Sequence, residues 1–191
     1  MSEGNSENKR PTSYDRPPSK AVFIDRDGTL IEEVNFLSRV EDLRYFADTA
    51  GALDRLKQAG FLIVVVTNQS GIGRGLFTEN EMHAIHDRMR ADLPGRFDAI
   101  FFCPHLPDAG CRCRKPNPGM IEAARAEFSI DLEKSWMIGD KALDVEFGAA
   151  AGLKTALVLT GYGRRERERL TSEPDVVGEN LLEIVKIITA A

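Results

Sequence analysis

No stretch of this 191-residue chain approaches the roughly 20 uninterrupted apolar residues that cross a bilayer, and its start lacks the basic-then-apolar layout of a secretory signal. A cytoplasmic protein with no membrane partner is the expectation. Positive charge is also short: 25 Lys and Arg against 30 Asp and Glu leave a formal charge of -5, which excludes a whole-surface attraction to nucleic acid. Any anion must be held by a local cluster. Neither a GxxxxGK[ST] loop nor a GxGxxG after a strand is present, so those nucleotide cradles are excluded. Internal repeats and coiled-coil heptads are missing as well. Cysteine is scarce, with three residues crowded at Cys103, Cys111 and Cys113, which points to a metal or a reactive thiol before a disulfide framework.

What is there divides into a leader and one domain. Residues 1–19 are rich in proline and small polar groups and offer almost nothing apolar to offset ordering entropy, so they read as a disordered leader; residues 20–191 read as a single domain. Short continuous apolar runs at 21–25, 62–67, 99–103, 135–139 and 155–159 suit strands covered on both faces. Helical spacing lies between them: Leu53 and Leu56; then Met82, Ile85, Met89 and Leu93 behind a Thr78/Glu81 capping box; then Ile121, Ala124 and Phe128 behind Asn117 as N-cap. Asp140 is read as opening a further helix, and Asn180/Glu183 as capping the last one. The pattern predicts an α/β fold, an open and mostly parallel sheet with helices on both faces. The arginine-rich run at 164–169 reads as a solvated face, and His83 and His86 as surface or half-buried histidines.

In such a sheet, ligands collect beyond the carboxyl ends of the strands. There the chain carries Asp25, Asp27, Gly28 and Thr29 after the first run, Thr67 to Gly71 after the second, and Gly139 with Asp140 after the fourth. Carboxylates brought to one crevice repel unless they share a cation, and an all-oxygen set points to magnesium. The Thr67 hydroxyl, backbone donors of the loop 70–75 and the Lys115 ammonium suit phosphoryl oxygens. Gly28 lets the chain turn, so that one of Asp25 and Asp27 can attack while the other handles protons. Taken alone, the run from Asp25 to Thr29 is equally well a capped turn.

These four clusters, in this order, resemble the haloacid-dehalogenase-like phosphohydrolases, whose motifs correspond to Asp25-Asp27-Gly28-Thr29, Thr67, Lys115, and Gly139-Asp140 with Asp144. The resemblance implies a Rossmann-like fold, with Asp25 as nucleophile, Asp27 as acid and base, and Thr67 and Lys115 on the phosphoryl oxygens. It also implies magnesium on Asp25, the Asp27 backbone carbonyl and Asp140. Asp144 receives no catalytic role. The intervals on either side of Thr67 leave no room for the cap domain of larger members.

Cys103, His105, Cys111 and Cys113 form a Cys3His set that saturates zinc and leaves no open position, so the zinc is structural and clamps the loop carrying Arg114 and Lys115. Within the superfamily this clamp is similar to two families, the D-glycero-D-manno-heptose-1,7-bisphosphate 7-phosphatases and the histidinol-phosphatases. Segments 67–77, 113–120 and 139–144 resemble the former, while Ser70 stands where the latter usually carry aspartate. Two features differ from the heptose enzymes: Val34-Asn35-Phe36 where they often show His-Gly-Tyr, and a short loop between His105 and Cys111 of histidinol-phosphatase length.

The resemblance implies a substrate subsite of Glu33, Val34, Asn35, Phe36, Asn68, Gln69, Ser70, Arg114 and Lys141, in a monomer acting on a small sugar phosphate. Three rivals stay open: histidinol-phosphatase or another small phosphomonoesterase, a signalling domain that accepts phosphoryl without turnover, and a zinc-dependent interaction module with a vestigial acidic site.

Overall fold

The structure, a computed structural model, describes residues 17–190; most of the expected leader, residues 1–16, lies outside them. Six strands form one sheet: β1 (Ala21–Ile24), β2 (Leu62–Asn68), β3 (Ala99–Cys103), β4 (Trp136–Gly139), β5 (Lys154–Val158) and β6 (Val176–Gly178). All five neighbouring pairs are parallel, in the order β3-β2-β1-β4-β5-β6. The helices are α1 (Thr49–Gln58), α2 (Ser70–Gly73), α3 (Glu79–Asp92), α4 (Gly119–Glu127), α5 (Ala142–Ala150), α6 (Gly163–Glu166) and α7 (Leu181–Ala190). Ser19 already pairs with Ile130 ahead of β1.

The strands are continuously apolar because each face meets a different layer. Val22, Ile24, Ile63 and Val65 pack with Leu53 and Leu56 of α1, Ile85 and Met89 of α3, and Ile184, Val185 and Ile188 of α7. Ala21, Phe23, Val64 and Val66 pack on the other side with Met120, Ile121 and Ala124 of α4 and Phe147 of α5. Alternate residues of one strand thus serve opposite cores, and a one-residue slip would exchange the two sets.

The sheet grows outward from β1, first through β2 to β3 and then back through β4 to β6. The carboxyl ends of β1 and β4 therefore flank the switch point, where a crevice opens. No cap domain occupies the intervals after β1 and β2, which hold loops, a short 3-10 turn, α1, α2 and α3.

Several local expectations change. Strand β6 is only three residues long, too short to register as an apolar run. The side chain of Asn117 donates to the Cys111 carbonyl at 2.7 Å, so Pro118 takes the cap of α4. Asp140 remains a strand-end residue, and Lys141 caps α5. The Thr78/Glu81 capping box forms as expected. Asn180 accepts from the Glu183 N–H at 2.9 Å, but Glu183 reaches back to Glu179 rather than to Asn180. His86 is fully buried on α3 and neither at the surface nor half-buried as expected, while His83 is exposed.

Candidate active site

The ends of β1 and β4 and the first turn of α5 bring Asp25, Asp140 and Asp144 together, with carboxylate oxygens all within 4.8 Å of one another. All three residues are buried, and the Lys115 ammonium enters between two of them. It donates to Asp25 Oδ1 at 2.9 Å, to Asp144 Oδ1 at 2.6 Å and to the Val66 carbonyl at 2.9 Å. Those three bonds use all the protons of an ammonium, so here Lys115 orients carboxylates rather than presenting a free donor. The Lys141 ammonium stands farther off, 3.9 Å from Asp25, 3.5 Å from Asp140 and 3.6 Å from Glu33.

Burial acts to raise the Asp25 carboxyl, but the charges of Lys115 and Lys141 outweigh it and hold the group below its ordinary value. Burial pushes Asp140 up to about 7, with the Asp25 charge adding to the effect. The Lys115 ammonium is raised despite its burial, because Asp144 and Asp25 hold its proton. Asp140 Oδ2 accepts the Tyr162 N–H at 2.8 Å, whereas its Oδ1 is buried and makes no hydrogen bond. Three carboxylates thus face two ammoniums, and Asp140 Oδ1 has only the distant Lys141 charge and no hydrogen bond. A hard cation fits that donor set.

Two glycines make the approach possible. Gly28 has φ +82°, and a Cβ there would collide with the Asp140 carboxylate. Gly161, at φ +51°, faces the same carboxylate from the loop after β5. Thr160 of that loop ties it down by donating to the Gly28 carbonyl at 2.6 Å.

Asp27 lies in the same cleft, of about 180 Å³, and its carboxylate is held from three sides. Arg26 donates to both of its oxygens at 3.0 Å, Gln69 donates to Oδ2 at 2.7 Å, and the Thr67 hydroxyl approaches at 3.4 Å. Asn68 forms a two-way bond with the Lys115 backbone, at 3.2 and 3.1 Å.

Of the expected substrate contacts, Glu33, Asn35, Phe36, Asn68, Gln69, Ser70 and Lys141 line this cleft. Val34 does not; it faces a separate surface hollow bordered by Asp42 and Arg44. Arg114 turns to the His105 carbonyl at 3.3 Å and borders a neighbouring cavity that shares only Lys115 and Leu143 with the cleft. The segment 70–75, expected as an open anion loop, begins as helix α2, and the Gly73 and Arg74 N–H groups bond to Pro104 and Ser70 carbonyls. At the lip, Asn35 and Phe36 both have positive φ, at 52° and 68°, a costly conformation for residues with side chains. The Glu33 carboxylate steadies it by accepting the Asn35 N–H at 2.8 Å.

Beside the cleft, beyond β3, the three cysteines and His105 converge. Cys103 Sγ lies 3.5 Å from Cys111 Sγ and 3.2 Å from Cys113 Sγ, and His105 Nδ1 lies 3.2 Å from Cys113 Sγ. The cysteines form no disulfide. With bonds of about 2.3 Å to sulfur, a tetrahedral zinc would space its thiolates about 3.8 Å apart, so a slight opening of this cluster accommodates one. Gln69 N–H donates to the Cys103 carbonyl at 2.7 Å and joins this loop to the end of β2.

Sequence reasoning did not find the buried Arg26 and His86 or the contact of Asp144 with Lys115. Asp144 follows Asp140 by four residues in sequence, but Asp140 lies before α5, so helical spacing alone does not place the two together.

The family model described as HAD-hyrolase-like matches residues 112–184. D-glycero-alpha-D-manno-heptose-1,7-bisphosphate 7-phosphatase of Photorhabdus laumondii is 38% identical over 180 residues, covering 88% of this chain and 96% of that protein. D-glycero-beta-D-manno-heptose-1,7-bisphosphate 7-phosphatase of Pseudomonas putida is 36% identical, covering 87% and 98%. The crystal structure of D,D-heptose 1.7-bisphosphate phosphatase from B. bronchiseptica, complexed with magnesium and phosphate, superposes with a TM-score of 0.83 at 36% identity, over 90% of this chain and 99% of that one. The chain therefore belongs to the haloacid-dehalogenase-like hydrolases and, within them, to the family of the D-glycero-D-manno-heptose-1,7-bisphosphate 7-phosphatases. Enzymes so named are phosphoric monoester hydrolases. No helix among the described residues is long and apolar enough to cross a membrane.

Proposed function

We propose that this chain is a magnesium-dependent phosphomonoesterase that removes the 7-phosphate of D-glycero-D-manno-heptose 1,7-bisphosphate through an aspartyl-phosphate on Asp25. One observation carries the reading: Asp25, locked by Lys115, faces the same cleft as Asp27 and shares one buried carboxylate cluster with Asp140 and Asp144. Family membership supplies the substrate class, and the P. laumondii and P. putida relatives differ in the anomer that their names print.

Asp25, Asp140 and the backbone carbonyl of Asp27 would hold the magnesium ion, which supplies positive charge between the nucleophile and a dianionic phosphate. Asp25 attacks phosphorus in line, forming the Asp25–phosphorus bond as the bond to the C7 oxygen breaks. Asp27 gives its proton to the departing alkoxide. Asp27 then takes a proton from water, whose oxygen attacks the phosphoryl group, releasing phosphate and restoring Asp25. Lys115 keeps one Asp25 oxygen engaged, so the other points toward the substrate, and its charge lies beside the equatorial oxygens with the Thr67 hydroxyl. Lys141, Glu33 and the lip at Asn35 and Phe36 meet the rest of the substrate. Cys103, His105, Cys111 and Cys113 would hold zinc as a structural clamp on the segment that ends in Lys115.

The test is phosphate release with magnesium from both anomers of the heptose bisphosphate and from histidinol phosphate. A higher kcat/KM for either heptose anomer supports the reading, and a clear preference for the amino alcohol overturns the sugar assignment. A single phosphate trapped per chain without turnover overturns the enzyme.

A further inference from the structure

Behind Asp27 lies a polar assembly with no solvent access and no place in the chemistry above. Arg26 follows β1 and is 0% exposed, the largest fully buried side chain among the described residues. Its guanidinium has one ion-pair partner within 4.0 Å among the described residues, Asp27. Nε and Nη2 donate to the two oxygens of that carboxylate, each at 3.0 Å. Nη1 points the other way, to Met82 Sδ at 2.8 Å and His86 Nε2 at 3.3 Å, both on α3.

The geometry is that of a brace. A two-point fork fixes the plane of a carboxylate as well as its position, which a point charge does not do. An arginine has many rotatable bonds, however, and the fork is only as firm as its far edge. His86 supplies that edge. Burial and the adjacent Arg26 charge lower it to about 3, so its imidazole is neutral and Nε2 is an acceptor. Helix α3 itself is anchored by the Thr78/Glu81 capping box and by Met82, Ile85 and Met89 in the core. A buried charge would be cheaper to replace by an apolar side chain than to keep, unless its orientation matters.

We propose that Arg26 and His86 are positioning residues: through a guanidinium clamped between α3 and Asp27, they hold the Asp27 carboxylate in the orientation needed to protonate the leaving alkoxide. This rests on the reading of Asp27 as proton carrier and deepens it.

The experiment compares kcat/KM for heptose bisphosphate, whose alkoxide must be protonated to leave, with that for p-nitrophenyl phosphate, whose phenolate leaves unaided. This ratio reports on the first phosphoryl transfer only. Arg26→Lys keeps the charge and removes the fork; it is expected to lower kcat/KM for the heptose substrate by about tenfold or more, mostly in kcat, and that for the aryl phosphate by less than about threefold. His86→Leu is expected to follow Arg26→Lys, and His86→Gln, which restores an acceptor, to recover most of the loss. The His86 pair decides the matter if Arg26→Lys fails to fold. Equal losses on both substrates, or no loss in His86→Leu, overturn the proposal. Asp27→Asn serves as the reference. If it discriminates between leaving groups and the Arg26 and His86 variants do not, the brace alone is wrong; if it does not discriminate, the role of Asp27 is wrong and the brace falls with it.

Discussion

Two polar clusters stand side by side at the carboxyl edge of the sheet, and they are built on opposite plans. Around the ends of β1 and β4, buried carboxylates outnumber the ammoniums near them, and one oxygen of Asp140 is left without a hydrogen bond. At the end of β3 and in the loop that follows, three thiols and an imidazole turn inward on one another, and two of the three cysteines are partly solvent-accessible. The first arrangement is electrostatically incomplete and open to a cleft. The second closes on itself. Incompleteness suits a site that must accept a charged ligand repeatedly, whereas closure suits a clamp. The segment that joins them, from Cys113 to Lys115, makes the clamp a neighbour of the chemistry.

The contrast can be broken most sharply at Asp25. Asp25→Asn keeps the shape and removes the nucleophile, and kcat is expected to fall by at least about 10³-fold with an unchanged circular dichroism spectrum. Gly28→Ala tests how tightly the incomplete cluster is built. Its methyl would meet the Asp140 carboxylate on a backbone at φ +82°, so a loss of about 3 kcal/mol in urea unfolding is expected.

Cys113→Ser tests the clamp. Zinc content measured by atomic absorption should drop, and kcat should fall only about tenfold, because the Lys115 segment loosens while the carboxylates stay. Loss as large as that of Asp25→Asn would erase the distinction between the two clusters.

The smallest effect concerns His86, which belongs to neither cluster. Its folded value, about 3, lies below the ordinary 6.5 of the unfolded chain, so the unfolded state binds the proton first. Its contribution is present above pH 6.5 and is lost as pH falls toward 3. Between pH 7 and pH 6 the wild type should lose about 0.7 kcal/mol more stability than His86→Gln, measured by denaturant unfolding at each pH.

Strands β1 to β5 were legible because each is a short apolar run covered on both faces, and pattern reports burial directly. Strand β6 was not, since Val176–Gly178 pairs only by virtue of where β5 ends. The charged run at 164–169 shows the reverse case, with its arginines exposed as composition implies. Within the site, Asp25, Asp27, Thr67 and Asp140 announced themselves as polar residues at the ends of apolar runs, and Lys115 as part of a basic pair ahead of α4. Arg26 did not, because an arginine between two aspartates reads as a solvated charge until the core is seen to close around it. Val34 and Arg114 were expected at the substrate and lie off the cleft, since adjacency in sequence does not decide which way a side chain turns.

The order of residues alone determined the parallel sheet, the clustering of acids at its strand ends and the gathering of three thiols with one imidazole, because those depend on periodicity and on residue chemistry. Only the tertiary structure decided that Lys115 directs its protons to Asp25, Asp144 and Val66, that one oxygen of Asp140 stays without a hydrogen bond, and that α3 reaches Asp27 through a buried guanidinium. Those outcomes depend on distances between elements far apart in the chain, which packing sets and local pattern does not encode.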